Sequence, residues 1–146
     1  MKNLLIIILF VINLPVIAQE SHPKKVVEDF FTAFHAKDTI TLKEWCHPEI
    51  IMQTIANTKE GNKLEANDFS GFLKSIASIP VNMKFEERIL NYNVQIDGNL
   101  AHVWTPYEFY INEKFSHMGA NSFTLYNDNS KSQIIHLIHK RRKKKI

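Results

Sequence analysis

The sequence has only one residue that could cross-link the chain, and it lacks the spacings of common zinc sites. It contains one cysteine, Cys46, which excludes an internal disulfide. It has neither a cysteine cluster nor an HExxH spacing, so it predicts no metal site and no cofactor. There are no internal repeats and no linker rich in glycine or proline. A chain of 146 residues with this composition predicts one domain that is stabilised by its hydrophobic core.

Long apolar runs are also missing, except at the N-terminus. There, Leu4 to Ile12 follows the positive charge of Lys2, and Pro15 ends the run. A membrane-spanning helix, which is the alternative interpretation, needs about 20 apolar residues. Val16 and Ala18 are small enough for the two positions that signal peptidase recognises, so cleavage is expected after Ala18. The pattern predicts a signal peptide at residues 1–18, a secreted or periplasmic protein, and no stable membrane span after cleavage.

Charge is distributed unevenly along the chain. Lys140 to Lys145 is six consecutive basic residues, whereas Gln19 to His139 contains 11 Lys and Arg against 15 Asp and Glu. Such a tail can bind nucleic acid or an anionic membrane surface, or it can be a solvated chain end. No basic patch with interleaved aromatics occurs elsewhere, so no nucleic-acid partner is expected. We therefore predict a single domain at residues 19–140, followed by a basic C-terminal tail at 141–146.

Apolar periodicity predicts three helices in the first half of the domain. A second, short helix runs through Trp45, and a third is capped by Asn67 or Asp68 and closed by Pro80. The first helix carries the clearest apolar stripe, at Val26, Val27, Phe30, Phe31 and Phe34.

Alternating apolar residues predict strands in the rest of the domain. Pro106 cannot donate a ladder hydrogen bond, so we expect an edge position or a bulge there. Helices ahead of an antiparallel meander indicate an α+β fold with one curved sheet over the helices. The predicted strands are Glu49 to Ala56, Leu90 to Ile96, Ala101 to Ile111, Phe115 to Tyr126 and Gln133 to Lys140.

Three segments carry a resemblance to a known family: VVEDFFTAFHAKD from Val26, WTPYEFYINEKFSHMGANSF from Trp104, and Arg141-Arg142. Together they resemble the nuclear-transport-factor-2-like superfamily, in particular its secreted bacterial SnoaL-like or lumazine-binding subset. The resemblance implies a cone-shaped α+β fold in which a curved antiparallel sheet packs on three N-terminal helices. It also implies a pocket between sheet and helices, and it makes a homodimer a further expectation. The chain departs from the family pattern at Ser130 to Gln133, where a Gly and a Trp are common.

The aromatic segment that begins at Trp104 suggests a ligand-binding wall. Trp104 and Tyr110 offer flat apolar area with a polar tip, which suits stacking on a ring, although ordinary core packing is the alternative. The expected ligand is a small apolar or ring-bearing molecule, bound by a non-catalytic or weakly catalytic protein. The predicted ligand-binding residues are Phe34, Trp45, Met52, Trp104, Tyr110 and His117.

An enzyme of the isomerase, dehydratase or cyclase type is the alternative hypothesis. Glu108 is the candidate acid or base because a carboxyl in an apolar cone would have a raised pKa, and His117 is the candidate proton carrier. Both residue types are also common on solvated or structural positions. The catalytic patterns of enzymatic relatives are not evident, since Asp38 lies in a polar break and Arg88 is the only arginine before the tail. A third hypothesis is an interaction module that forms a dimer through an exposed sheet face.

Overall fold

A computed structural model describes residues 22–142, which form three helices and seven strands. The predicted signal peptide and residues 143–146 lie outside the described residues. No helix between residues 22 and 142 is long and apolar enough to cross a membrane. The helices are α1 (Pro23–Ala36), α2 (Thr39–Trp45) and α3 (Phe69–Ala77). The strands are β1 (Cys46–Thr58), β2 (Gly61–Asn67), β3 (Phe85–Ile89), β4 (Asn93–Asp97), β5 (Leu100–Ile111), β6 (Lys114–Asn127) and β7 (Ser132–Arg142).

Local sequence signals determine where the helices begin and end. Pro23 opens α1, and Lys37 ends it in a left-handed conformation with a φ of 57°. Asp38 begins α2, because its carboxylate accepts hydrogen bonds from the backbone N–H groups of Ile40 and Thr41 at 3.1 and 3.0 Å. Asp68 does the same for α3 by accepting from the Gly71 N–H at 2.6 Å. All three predicted helices are confirmed.

The seven strands form one curved, unclosed sheet in the order β2-β1-β7-β6-β5-β3, with β4 paired to β5. Strands β5, β6 and β7 form the predicted antiparallel meander. Strand β1 pairs with β7 in parallel, for example Met52 with Leu137. The sheet is therefore mixed, whereas the prediction was a wholly antiparallel sheet. The α+β class and the cone-shaped arrangement of three helices on a curved sheet are confirmed.

Two short strands were not predicted. Strand β2 is exposed along its whole length and is held by pairing with β1. Strand β3 lies between the predicted third helix and the strand predicted from Leu90. The strand expected at Leu90 to Ile96 begins only at Asn93. The Leu90 N–H donates to the Pro106 carbonyl at 2.8 Å, so Pro106 faces the gap between β3 and β4 and loses no ladder bond. The register shift in β5 lies between Phe109 and Tyr110 rather than at Pro106.

One face of the sheet packs against the helices. Val103, Phe123, Leu137 and Met52 lie side by side in register across β5, β6, β7 and β1, and all four are buried. The stripe of α1 covers them, and Phe30 and Phe31 make edge-on contacts with Phe123. Successive side chains of a strand point to opposite faces of the sheet. Every second residue counted from this row therefore also points towards the helices.

Candidate functional site

A cavity of about 550 Å³ lies between the inward face of the sheet and the helices α1 and α3. Its size is within the range of small-molecule sites, roughly 300–1,000 Å³. Apolar side chains form one part of its wall, and polar side chains from the sheet form the other. The apolar part comprises Phe30, Phe31, Phe34, Met52, Phe72, Ile76, Phe109, Phe123 and Leu137.

The apolar part is built mainly from stacked rings. Phe34 on α1 stacks on Phe72 of α3 with ring centres 6.1 Å apart and planes 11° apart. Phe34 also meets Phe85 of β3 edge-on at 4.9 Å. These contacts place flat aromatic surfaces on the helix side of the cavity, opposite the sheet.

The polar side chains follow from the sheet register. Beyond the apolar row, Thr105 pairs with Asn121, and Asn121 pairs with His139. In the following rows Tyr107 pairs with Gly119, which pairs with Arg141, and Glu87 pairs with Phe109, which pairs with His117. Alternation along these four strands therefore directs polar groups to one end of the cavity. Arg141 is exposed, so this polar end is where the cavity meets solvent.

Glu87 is the most strongly perturbed acid at the site. Burial raises the pKa of its carboxyl to about 7, against opposing effects of the Asn121 hydrogen bond and the Arg141 charge. The Asn121 side-chain amide donates to Glu87 Oε1 at 2.6 Å and to Thr105 Oγ1 at 3.2 Å. The backbone N–H of Glu87 donates to His35 Nε2 at 2.9 Å, which fixes β3 to α1. A carboxyl that is fixed by a hydrogen bond and ionises near neutral pH can accept or release a proton.

Tyr107 and Arg141 lie on either side of Gly119, which pairs with both residues in the sheet. A Cβ at Gly119 would lie 2.5 Å from the Tyr107 hydroxyl and 2.2 Å from the Lys140 carbonyl oxygen, so only glycine leaves room there. Burial and the Glu87 charge raise the pKa of Tyr107 to about 12, while hydrogen bonding with the Arg141 side chain acts in the other direction. The Tyr107 hydroxyl therefore keeps its proton and remains a hydrogen-bond donor.

The two histidines of the cavity are neutral bases. Burial, with the charges of Arg141 and His139, lowers the pKa of His117 to about 4. Burial and Arg141 also lower the pKa of His139, whose Nε2 lies 3.5 Å from Thr54 Oγ1. The His117 ring stacks on Phe109 at 4.8 Å. At neutral pH both imidazoles offer a donor and an acceptor without carrying charge.

Three of the predicted ligand-binding residues line the cavity: Phe34, Met52 and His117. Trp45 does not, because it packs against the core, and its buried Nε1 has no hydrogen-bond partner among residues 22–142. Within the same residues no three side chains of His, Cys, Asp or Glu come together as a metal site would require.

Trp104, Glu108 and Tyr110 lie on the outer face of the sheet, so the prediction that they border the cavity is wrong. They alternate with the buried Val103, Thr105 and Tyr107, and no bulge at Pro106 reverses the alternation. Trp104 is 45% exposed. Glu108 Oε2 accepts from the Tyr110 hydroxyl at 2.8 Å, and the guanidinium carbon of Arg88 lies 3.9 Å from the Tyr110 ring centre. Glu108 and His117 consequently cannot act on one substrate.

Apart from His117, the polar residues named above that face the cavity were not identified from the sequence. Glu87 lies in the unpredicted strand β3, and Arg141 was assigned to the tail although β7 continues to Arg142. Tyr107 and Asn121 carried a usable signal, since each continues the alternation of buried apolar residues at Val103 and Phe123. Following the apolar face, rather than the more unusual side chains, would have identified them.

Comparison with solved structures identifies the fold. No protein-family model matches the sequence, and no curated protein does. A nuclear transport factor 2-like protein of unknown function from Pseudomonas putida KT2440 aligns with a TM-score of 0.66 and 9% identity, over 80% of this chain and 82% of its own. A nuclear transport factor 2-like protein from Cytophaga hutchinsonii aligns with a TM-score of 0.65 and 11% identity, over 82% of this chain and 94% of its own.

A third similar structure carries a proposed activity. It is a candidate dehydratase of the same family from Streptomyces avermitilis, with a TM-score of 0.60 and 12% identity, covering 80% of this chain and 91% of its own. At such identities the similarity establishes architecture and not chemistry. The architecture predicted from the resemblance is confirmed: the chain has the nuclear transport factor 2-like fold.

Proposed function

We propose that this protein binds a small ring-bearing molecule in the cavity between α1, α3 and the sheet. The observation that carries the proposal is an aromatic cavity of about 550 Å³ with convergent polar groups at one end. Stacked phenylalanines suit a flat apolar body, and the polar end supplies orientation. If residues 1–18 are removed as a signal peptide, binding takes place outside the cytoplasm.

A fluorescent ligand that reports apolar surroundings tests this proposal. N-phenyl-1-naphthylamine, a neutral probe with three aromatic rings, should bind the wild-type protein saturably and raise its melting temperature. Ser75→Trp places an indole at a position on α3 that lines the cavity, and it should weaken binding at least about tenfold by filling the space. Ser70→Trp, on the same helix but outside the cavity wall, is the matched control. Equal binding by both variants would contradict the proposal.

Glu87 favours a second candidate function, proton transfer at a carbon next to a carbonyl. A carboxyl with a pKa of about 7 is suited to act as a general base at neutral pH. The Tyr107 hydroxyl and the Arg141 guanidinium provide donors in the same cavity for the oxygen on which negative charge would develop. In this form of the enzyme hypothesis, Glu87 has the role of general base that the sequence analysis gave to Glu108.

Exchange of carbon-bound protons tests the second candidate without knowledge of the natural substrate. The wild-type protein should accelerate deuterium incorporation at the α-carbons of 2-tetralone in D₂O, measured by NMR. Glu87→Gln should reduce the rate to that of buffer, whereas Glu108→Gln on the outer face should retain it. Wild-type exchange no faster than in buffer would argue against this chemistry for cyclic ketones.

We also propose that the outer face of the sheet joins two copies of the chain. Trp104, Ile51 and Tyr126 are large apolar side chains on that face, with 45%, 58% and 44% exposure, and a second copy of the face could cover them. Light scattering during size-exclusion chromatography should give the dimer mass for the wild-type protein and the monomer mass for Trp104→Glu. A wild-type monomer at high concentration would contradict this.

A further inference from the structure

Arg141 is the least satisfied charged group in the cavity wall. The ion pairs among residues 22–142 are Lys24–Glu28, Lys25–Asp29 and Arg88–Glu86, so Arg141 has no carboxylate partner in that part of the chain. Its side chain lies near the Tyr107 hydroxyl, and none of its five N–H donors is paired with a carboxylate of residues 22–142. A guanidinium beside an apolar cavity is suited to bind an oxyanion such as a carboxylate or a sulfonate.

The neighbouring groups are arranged to accept an anion and offer little to a cation. The Arg141 charge acts on the Tyr107 hydroxyl, which keeps its proton and can donate it to a ligand in the cavity. His117 and His139 are neutral, and both already experience the positive charge of Arg141, which an anion would offset. These donors come from three adjacent strands and converge on the polar end.

Both acidic residues of the cavity wall already accept hydrogen bonds from other groups of the protein. Asp68 caps α3 through the Gly71 N–H, and the Glu87 carboxyl is held by the Asn121 amide and can be protonated near neutral pH. Neither acid is left as an unpartnered anion that would select a cationic ligand. Arg141 is therefore the one permanent cation among the residues that line the cavity.

We propose that the ligand is an amphiphilic organic anion whose ring-bearing body lies between the phenylalanines and whose single carboxylate or sulfonate is bound by Arg141. This rests on the proposed binding function and specifies its ligand class. The anionic group would lie between the Arg141 guanidinium and the Tyr107 hydroxyl, with an imidazole N–H of His117 within the same polar end. The apolar body would then extend towards Phe34 and Phe72.

Two probes that differ by one sulfonate separate the anion from the apolar body. 8-Anilinonaphthalene-1-sulfonate carries the same rings as N-phenyl-1-naphthylamine plus one negative charge. The wild-type protein should bind the sulfonate at least about tenfold more tightly than the neutral probe, since hydrogen bonds to charged groups contribute that much. Arg141→Gln should remove this preference and leave the affinity for the neutral probe within about threefold.

Arg142→Gln is the matched control, because it removes the same charge from the next residue, which does not line the cavity. It should keep the preference for the sulfonate, and Arg141→Lys should retain part of it. Circular dichroism confirms that each variant is folded. Equal affinities of the wild-type protein for both probes, or equal losses in Arg141→Gln and Arg142→Gln, would overturn the anion class while leaving the binding function intact. Absence of binding by the neutral probe to wild-type protein would overturn the binding function itself.

Discussion

Glu87 illustrates how one buried side chain links stability to function. Its carboxyl points into a largely apolar cavity, where the charged form is poorly solvated, and the Asn121 amide offsets this only in part. Its folded pKa of about 7 lies above the ordinary value of 4.5. A group with a raised folded pKa favours the native state while it is protonated, and this contribution is lost as the pH rises through 7.

Glu87→Gln should therefore stabilise the protein at alkaline pH and have little effect at pH 4. A shift from 4.5 to about 7 corresponds to an upper limit on the order of 3 kcal/mol in the free energy of unfolding at pH 8.5. The Gln oxygen can still accept from Asn121, so the side-chain contact is retained. Urea unfolding of both proteins between pH 4 and 8.5 measures the difference. A difference independent of pH would show that the carboxyl is solvated, and Glu108→Gln controls for the loss of one acid elsewhere.

The residue scale is also where sequence reasoning was least successful. Trp104, Glu108 and Tyr110 share one face of β5, and that face is the outer one. The sequence shows alternation directly, but which face is inward depends on where the helices pack. Buried Ala101 and Val103 contained that information, because small and branched apolar residues mark the covered side of a strand.

At the scale of elements, α1 is attached to the sheet by packing and by one directed hydrogen bond. The His35 ring stacks on Phe31 with ring centres 6.1 Å apart, and its Nε2 accepts from the Glu87 N–H. Burial lowers the pKa of His35, and the nearby Glu86 charge opposes this in part. Protonation would remove the acceptor and leave the Glu87 N–H without its partner.

Acidification should consequently loosen α1 from β3. A base with a lowered folded pKa contributes stability that is present above its unfolded value of 6.5 and is lost as the pH falls. His35→Gln keeps an acceptor that does not titrate, so it should lose less stability than the wild-type protein between pH 7.5 and 5. His35→Leu should cost roughly 1–3 kcal/mol at pH 7.5, because the Glu87 N–H loses its acceptor, and less at acid pH, where protonation removes that acceptor from the wild type as well. Amide hydrogen exchange at Glu87 measures the contact directly, and identical pH profiles for wild type and His35→Gln would contradict the assignment.

Helices were predicted better than strands for a physical reason. The three helices carry their signals within a few residues, as an apolar stripe in α1 and as the cap of α3 at Asp68. Strand β2 is polar and exposed and exists because β1 offers it hydrogen bonds, as in the pair Ile55–Leu64. Such a strand has no amphipathic pattern of its own, so its sequence resembles a turn.

At the scale of the molecule, the parallel pairing of β1 with β7 joins the first strand of the chain to the last. This contact connects residues about 85 positions apart, such as Thr54 and His139, and no local pattern predicts it. The pairing brings β7 across the cavity and places Arg141 at its polar end. The site that we propose therefore depends on the most long-range contact of the fold.

Cys46 provides a probe of that contact. It lies where α2 meets β1, pairs with Ile134 of β7, and is 2% exposed. Burial raises the pKa of its thiol to about 12, and the Lys131 charge opposes this in part. Because the thiolate is the reactive form, a disulfide reagent should modify Cys46 in the native protein only when β1 and β7 separate.

The rate of thiol modification should therefore follow the stability of the whole sheet. Native protein should react orders of magnitude more slowly than protein in denaturing urea, and low concentrations of urea should accelerate the reaction. A ligand in the cavity contacts Met52 of β1 and Leu137 of β7, so N-phenyl-1-naphthylamine at 100 times its Kd should slow modification by about 100-fold if opening abolishes binding. Ser75→Trp should lose this protection while Ser70→Trp keeps it. Rapid modification of the native protein would mean that β1 opens independently of the cavity, and the pairing of β1 with β7 would then not be what holds the site together.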